Sequence, residues 1–418
     1  MRLLVVAHTS LISGAEIALE RIVVAATARG WHIDIAVPPG DFAQRLHAQG
    51  LTVLPLPDLK LPAGPLPFAA ARLGLRAART ARAIRRYSGV RPDATRPADA
   101  VFVNGLLGLP AVSLARLKIP VVWLVHDVVR KPSWLLLLRL VAPAVDQAIG
   151  VSGAAAGPVR AAGIATRVVP NGTPWPVQPA DPAATGAPVV GCAGALTPWK
   201  GHRVLLEAVA ALPGVTLEIA GQPFPKDAAY AAELRERAGR PDLAGRVIFL
   251  GSVQDLPARI RRWSVLVSAS TDPETGPLVM LEAMSVGVPV VATNHGGPAE
   301  FLGDAGLLVP PNAPAALAAA LGHLLPDIPL RRSMAEAGRR LVAERFRLEA
   351  RTQELLDVVA ESCYRYRDRL GYMCNVARAH RKRCSRQLHL VAVMIRWVVR
   401  GCWPRTRMSG RLRMACLW

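Results

Sequence analysis

Apolar residues fall in short continuous runs along this chain, separated by longer stretches with a helical rhythm. Runs at 2–8, 32–38, 51–57, 100–104, 120–126 and 147–152 are rich in Val, Leu and Ile and mostly apolar at consecutive positions. Such runs suit strands buried on both faces of a parallel sheet. Helical patterns such as 16–29 lie between them, giving the β-α-β rhythm of a doubly wound domain. A Pro/Ala-rich stretch at 174–188 has no apolar periodicity and reads as a linker. The rhythm then restarts, with strands predicted at 189–194, 216–220, 247–251, 265–268 and 288–293 and helices at 202–211 and 281–286. The pattern predicts an α/β protein of two Rossmann-like doubly wound domains, 1–173 and 189–345, facing a cleft. A closing helix is expected at 346–361 and a separate tail at 362–418.

Composition sharpens the picture mainly at the end of the chain. The formal net charge is +21, yet fourteen basic residues and one acid, Asp368, fall from Ser362 onward. Five of the six cysteines also lie there, with no CxxC pair, so a zinc site is not expected. The tail is expected to be disordered or membrane-associated, and dispensable for folding. The single cysteine of the body, Cys192, fits a reducing compartment. The first residues carry one arginine and only a short apolar run, and no run of 18 uncharged apolar residues occurs. Neither a secretory leader nor a membrane span is therefore expected, and the expectation is a cytoplasmic protein, held at the inner face of the plasma membrane if anywhere. Arg72, Arg76, Arg79, Arg82 and Arg86 recur at helical spacing. They form a stripe suited to anionic lipid, or simply a solvated helix face. Nucleic acid is not expected as a partner, because no recognised module accompanies the basic residues.

Candidate chemistry lies where predicted strands end. His8 closes the first strand, and a loop leads to Gly14 at a helix start, where glycine lets a ligand approach and the helix N-terminus favours anions. An ordinary β-α turn reads the same way. His126 ends another strand, followed by Asp127. The second domain opens with Gly194 and Ala195, then PWKG at 198–201, placing Lys200 and Gly201 at the mouth of its first β-α unit. A lysine beside a glycine suits a diphosphate, as point charge and close backbone approach. The strongest signal is DPETGPLVMLEAMSVGVP at 272–289, where Glu274 and Glu282 stand eight apart around Gly276. Glu282 should sit on a helix whose first turn lies near Gly276, Pro277 and Leu278, where backbone amides can bind phosphate. No D-x-D occurs, so no metal and no other cofactor is expected. The absence of GxGxxG argues against a nicotinamide enzyme.

Together PWKG, the two spaced glutamates, EAMSVGVPVVAT at 282–293 and GGPAEFL at 296–302 resemble the retaining glycosyltransferases of family 4, group 1 enzymes with the two-domain GT-B fold. The resemblance runs from the first strand to about Glu361. It implies transfer of a sugar, with retained configuration, from a nucleoside diphosphate sugar to a saccharide or lipid-linked acceptor. Lys200 would contact the diphosphate, Glu274 the transferred sugar and Glu282 the ribose. The amides of Gly276, Pro277 and Leu278, in the loop begun by Thr275, would hold the distal phosphate. His126 would touch the donor sugar, Gly14 would border donor and acceptor, and Asn171–Gly172 would end the first domain. Three positions depart from the family. Ala195 replaces an arginine, leaving only Arg203 nearby. Ser13–Gly14 replaces Gly-Gly, and Glu-Thr-Gly-Pro replaces the common E-x-F-G. The first departure leaves a second reading, a nucleotide-sugar-binding protein with weak or lost turnover.

Overall fold

A computed structural model of the chain describes residues 1–57, 59, 66–89, 96–175, 178–180 and 187–369. Its first compact unit, 1–363, holds two wholly parallel sheets; residues 364–369 of the second unit are helical. The first sheet comprises β1 (Arg2–Ala7), β2 (His32–Val37), β3 (Thr52–Pro55), β4 (Ala100–Asn104), β5 (Val121–Val125), β6 (Gln147–Gly150) and β7 (Thr166–Val168), in the order 3-2-1-4-5-6-7. The second comprises β8 (Val189–Ala193), β9 (Thr216–Ala220), β10 (Val247–Gly251), β11 (Val265–Ser268), β12 (Val290–Thr293) and β13 (Gly306–Val309), in the order 10-9-8-11-12-13. The short edge strands β7 and β13 are absent from the sequence expectation. Three or four residues, partly exposed and with Arg167 in one of them, carry too little apolar signal to stand out.

Helices connect the strands on both faces. The first domain carries α1 (Gly14–Ala28), α2 (Asp41–Ala48), α3 (Leu66–Ser88), α4 (Leu109–Ala115), α5 (Pro132–Val141) and α6 (Gly153–Ala161). The second carries α7 (His202–Ala210), α8 (Ala228–Ala238), α9 (Leu256–Ile260), α10 (Leu278–Val286), α11 (Pro298–Leu302), α12 (Pro314–Leu324) and α13 (Ile328–Arg345). Among the described residues no helix is long and apolar enough to cross a membrane.

Side-chain alternation along the buried strands feeds a core on each face. In the first sheet Leu3, Val5, Phe102, Val122 and Leu124 pack under α1 and α2, while Leu4, Val6, Val101, Val103 and Trp123 pack under α3 to α6. At the mouth of β1 the side chain of Arg2 is buried and paired with Asp34 at 2.8 Å. Its remaining N–H groups go to the carbonyls of Tyr87, Gly89 and Arg96, which offsets the desolvation such a pair costs.

In both sheets the strand order reverses beside the first strand, between β1 and β4 and between β8 and β11. Connections leave in opposite directions there, opening a crevice at the carboxyl ends of the strands. This constraint places His8 and Asn104 in one crevice, and Gly194 and Ala269 in the other.

Two expectations change. The linker at 174–188 falls partly outside the described residues, but its described ends are anchored. Trp175 lies under the guanidinium groups of Arg339 and Arg347, and Ala180 N–H donates to Val286 O at 2.6 Å. The body also does not end at Glu361. Residues 348–363 are helical and return to the first domain, with Leu355, Leu356, Val359 and Cys363 buried against the first sheet. Ser362 and Cys363 therefore belong to the core, and the rest of the expected tail beyond Arg369 lies outside the described residues. Cys363→Asp in the full chain should lower the unfolding free energy by about 3 kcal/mol or more, the scale of a charge placed in an apolar core. Equal denaturant midpoints for the two proteins would contradict this placement.

Candidate active site

The second crevice is built from loops far apart in sequence. After β8, Gly194 leads through Ala195 to a 3-10 turn at Pro198–Lys200 and then α7. Gly201 has φ +71°, and a Cβ there would lie 1.8 Å from the Ala269 carbonyl oxygen. Only glycine allows this loop to close onto the end of β11. Trp199 O accepts the Thr271 N–H at 2.8 Å, fixing the two loops together. Lys200 Nζ thereby reaches Glu274 Oε1 at 2.5 Å and sits 4.2 Å over the Trp199 ring. Ser270 Oγ donates to the same carboxylate oxygen at 2.5 Å.

Glu274 is itself held by its backbone. Its N–H donates to His295 O at 3.1 Å, and its carbonyl accepts from Gly297 N–H at 2.7 Å. Gly296, at φ +90°, lies so close that a Cβ would meet Glu274 O at 2.2 Å. The glycine pair of GGPAEFL is thus required by the loop that carries Glu274. From the same segment Glu300 reaches across to the first domain. Its carboxylate accepts from Gly153 N–H at 2.6 Å and Ala154 N–H at 2.8 Å, while Ser152 Oγ accepts from Ala155 N–H. The first turn of α6 is capped from two sides.

Helix α10 starts at Leu278 with Pro277 as its N-cap residue and no side-chain cap. Met280 N–H donates to Pro277 O at 3.1 Å, and the N–H groups of Leu278 and Val279 remain available to an anion. The expectation of three consecutive donors at Gly276, Pro277 and Leu278 needs correction. Pro277 has no N–H and contributes a fixed φ of −65° instead, leaving Gly276 and Leu278 as donors. Thr275 Oγ1 donates to His126 O at 2.9 Å, and Asn171 Nδ2 donates to Gly276 O at 3.0 Å. The loop between the glutamates is therefore tied to the first domain at both points.

Glu282, on α10, is mostly buried and pairs with Arg21 of α1 at 2.7 Å. Arg21 also donates to Gly172 O at 3.4 Å, at the turn that ends the first domain. Nothing in the spacing of Arg21 and Glu282 announces this contact, which exists only once α1 and α10 face each other. Arg203 does not take the place of the missing arginine at Ala195. It is exposed and paired with Glu233.

On the first-domain side, an added Cβ on Gly14 would meet nothing within 4 Å. The Ser13–Gly14 departure has a local cause, a capping box. Ser13 Oγ accepts from Ala15 N–H, and Glu16 Oε2 accepts from Ser13 N–H at 3.1 Å. Burial raises the Glu16 carboxyl above its ordinary range. The S-x-x-E pattern was available in the sequence as a helix-start signal. His126 stands at the end of β5 with its Nε2 buried and without a hydrogen-bond partner among the described residues. Burial, with a lesser push from the charge of His8, lowers its imidazole to about 4. His126 is thus neutral near neutral pH. Arg130, on the loop after β5, places Nη1 3.2 Å from His295 Nε2, a first-domain cation against the loop behind Glu274.

Comparison with known proteins agrees with this arrangement. The profile described as "Glycosyl transferase 4-like domain" matches residues 13–172, and that described as "Glycosyl transferases group 1" matches residues 187–327. A lipopolysaccharide core biosynthesis glycosyltransferase, LpsE of Rhizobium meliloti, is 34% identical over 176 residues, 42% of this chain and 50% of that protein. A D-inositol 3-phosphate glycosyltransferase of Salinispora tropica is 34% identical over 202 residues, 46% of this chain and 42% of that protein. The chain thus spans about half the length of the curated relatives it matches. Among solved structures, Anabaena HepE in complex with UDP-glucose superposes with a TM-score of 0.71 at 24% identity, covering 86% of this chain and 100% of that one. Sucrose-phosphate synthase from Thermosynechococcus elongatus superposes with a TM-score of 0.73 at 20% identity, covering 86% and 99%. Those two likenesses concern the fold alone. With one domain profile of the family on each half, and the GT-B architecture across most of its length, the chain belongs to the group 1 glycosyltransferases.

Proposed function

We propose that this chain transfers a sugar from a nucleoside diphosphate donor to a saccharide or lipid-linked acceptor, with retained configuration and without a metal ion. The observation that carries the reading is the Lys200–Glu274 pair, set where the strand order reverses and beside the uncapped start of α10. It holds a cation, an anion and a set of backbone donors in readiness for a charged ligand. A diphosphate entering there would take Lys200 from Glu274 and accept from the Gly276 and Leu278 N–H groups, with the α10 dipole behind them. Glu274 would then be free to accept from hydroxyls of the sugar. Glu282, oriented by Arg21, would grip the ribose, and neutral His126 would hydrogen-bond a sugar hydroxyl through Nε2. HepE, named above with UDP-glucose bound, supports a nucleotide sugar as ligand class.

In the proposed step the bond between the anomeric carbon and the distal phosphate oxygen breaks. The acceptor hydroxyl forms its bond on the same face and gives its proton to the departing phosphate. Lys200 and the α10 amides stabilise the charge that develops on that phosphate, the kind of contact that contributes most in such sites. Ala195 removes one charge-assisted contact of about 1.5–3 kcal/mol. The alternative, a binding protein without turnover, has only the Ala195 departure behind it.

Two measurements test the proposal. Turnover of a donor panel of UDP-, GDP- and ADP-sugars should be unchanged by EDTA; loss with EDTA and recovery with magnesium or manganese would overturn the metal-free reading. The two glutamates should also separate kinetically. Glu274→Ala should lower kcat about 100-fold or more, the scale of a lost transition-state contact. Glu282→Ala should mainly raise the donor KM, because its contact is present in ground and transition states alike. Identical defects in the two variants would contradict these roles.

A further inference from the structure

Helices α3, α4 and α5 lie side by side over one face of the first sheet. Ile84 of α3, Val112 of α4 and Leu138 of α5 all enter the same core cluster. Arg85 of α3 donates to the carbonyls of Leu114 and Ala115, at the end of α4. Because their inner sides share one core, their outer sides form one layer toward solvent.

That layer has an unusual composition. Among the described side chains of α3, Arg72, Leu75, Arg79, Arg82 and Arg86 are exposed at helical spacing along one face, with Gly74 and Arg85 exposed beside them. The stripe expected from sequence is thereby corrected. Arg76 is half-buried and engaged, and Leu75, 55% exposed, stands in the stripe instead. On α4 and its exit Leu114 is 52% exposed beside exposed Arg116 and Lys118. On α5 Leu136 is 60% and Leu140 68% exposed, one turn apart, with Arg139 exposed between them. None of the three helices contains an Asp or Glu. Of the described acids in the connecting segments, Asp99 accepts from Arg2 N–H and Asp146 from Val121 N–H, while Asp127 lies between β5 and α5.

We propose that the outer layer of α3, α4 and α5 is a docking surface for an anionic lipid bilayer. Exposed leucines among arginines and lysines, with no acid on the helices, fit an interface where acyl chains receive the apolar tips and headgroup phosphates receive the cations. At ten residues α5 is far too short to span a bilayer, so the contact is peripheral. Charge selects this occupant over a second copy of the chain. A two-fold contact would set the same arginines against themselves, with no carboxylate on these helices to separate them. The surface stands independently of the transfer reaction. If both hold, the acceptor is delivered at the membrane, which favours a lipid-linked one.

Co-sedimentation of the full-length protein with vesicles tests the surface. Phosphatidylcholine vesicles containing about one third phosphatidylglycerol should bind the protein, phosphatidylcholine alone should not, and added salt should weaken binding. Leu136→Ser/Leu140→Ser and Arg79→Glu/Arg82→Glu should each lower the partition coefficient by about tenfold or more. All four residues are exposed, so melting temperatures should be unchanged, and donor turnover in solution should also be unchanged. Absent binding, or binding equal in both variants and the parent, would overturn the proposal, the second result placing contact elsewhere on the chain. A dimer in sedimentation that Leu136→Ser/Leu140→Ser dissolves would overturn it in favour of a second copy.

Discussion

The close approach of Lys200 and Glu274 is the interaction on which the rest of the site depends. These residues are 74 positions apart and meet at 2.5 Å. They meet because β8 and β11 are neighbours whose following loops leave in opposite directions. The pair needs Gly201 flat against Ala269 and Gly296 flat against Glu274. A side chain at either glycine would push one charge away from the other. An ion pair that is largely buried costs desolvation unless its partners are well hydrogen-bonded. Ser270 supplies one such bond here. Within the pair the two charges neutralise each other, so under the proposed function a diphosphate would be the exchange partner for the lysine.

A second set of contacts bridges the two domains around that pair. Arg21 meets Glu282, Thr275 meets His126, Asn171 meets Gly276, and Glu300 caps α6. Each joins a residue of the second domain to a helix, strand end or turn of the first. The returning helix over 348–363 packs on the first domain and adds a covalent reason for the two halves to stay together. Any ligand that displaces Arg21 from Glu282 therefore acts on the contact between domains as well as on the site.

The sequence made the sheets legible because parallel strands buried on both faces leave continuous apolar runs, as in LLVVA after Arg2 and VVWLV before His126. Edge strands β7 and β13 were hidden because their outer side faces solvent. The spacing of Glu274 and Glu282 with PWKG pointed to the crevice because local loops fix them. Arg21 and Glu300 could not be placed from the sequence, because their partners come from the opposite domain. The lack of an N–H at Pro277 and the Ser13–Glu16 capping box were readable and bear on which backbone groups are left for a ligand. Cys363 sat in a strongly basic stretch whose composition concealed that its first residues complete a core.

The central claim is that Lys200 exchanges Glu274 for a diphosphate. Titration calorimetry with UDP, GDP and ADP in EDTA tests it most directly, comparing the parent with Lys200→Ala. The account predicts that at least one nucleotide binds the parent, and that Lys200→Ala binds it about tenfold to a hundredfold more weakly, the range of a lost charge-assisted contact. Equal affinity of parent and variant for that nucleotide would contradict it.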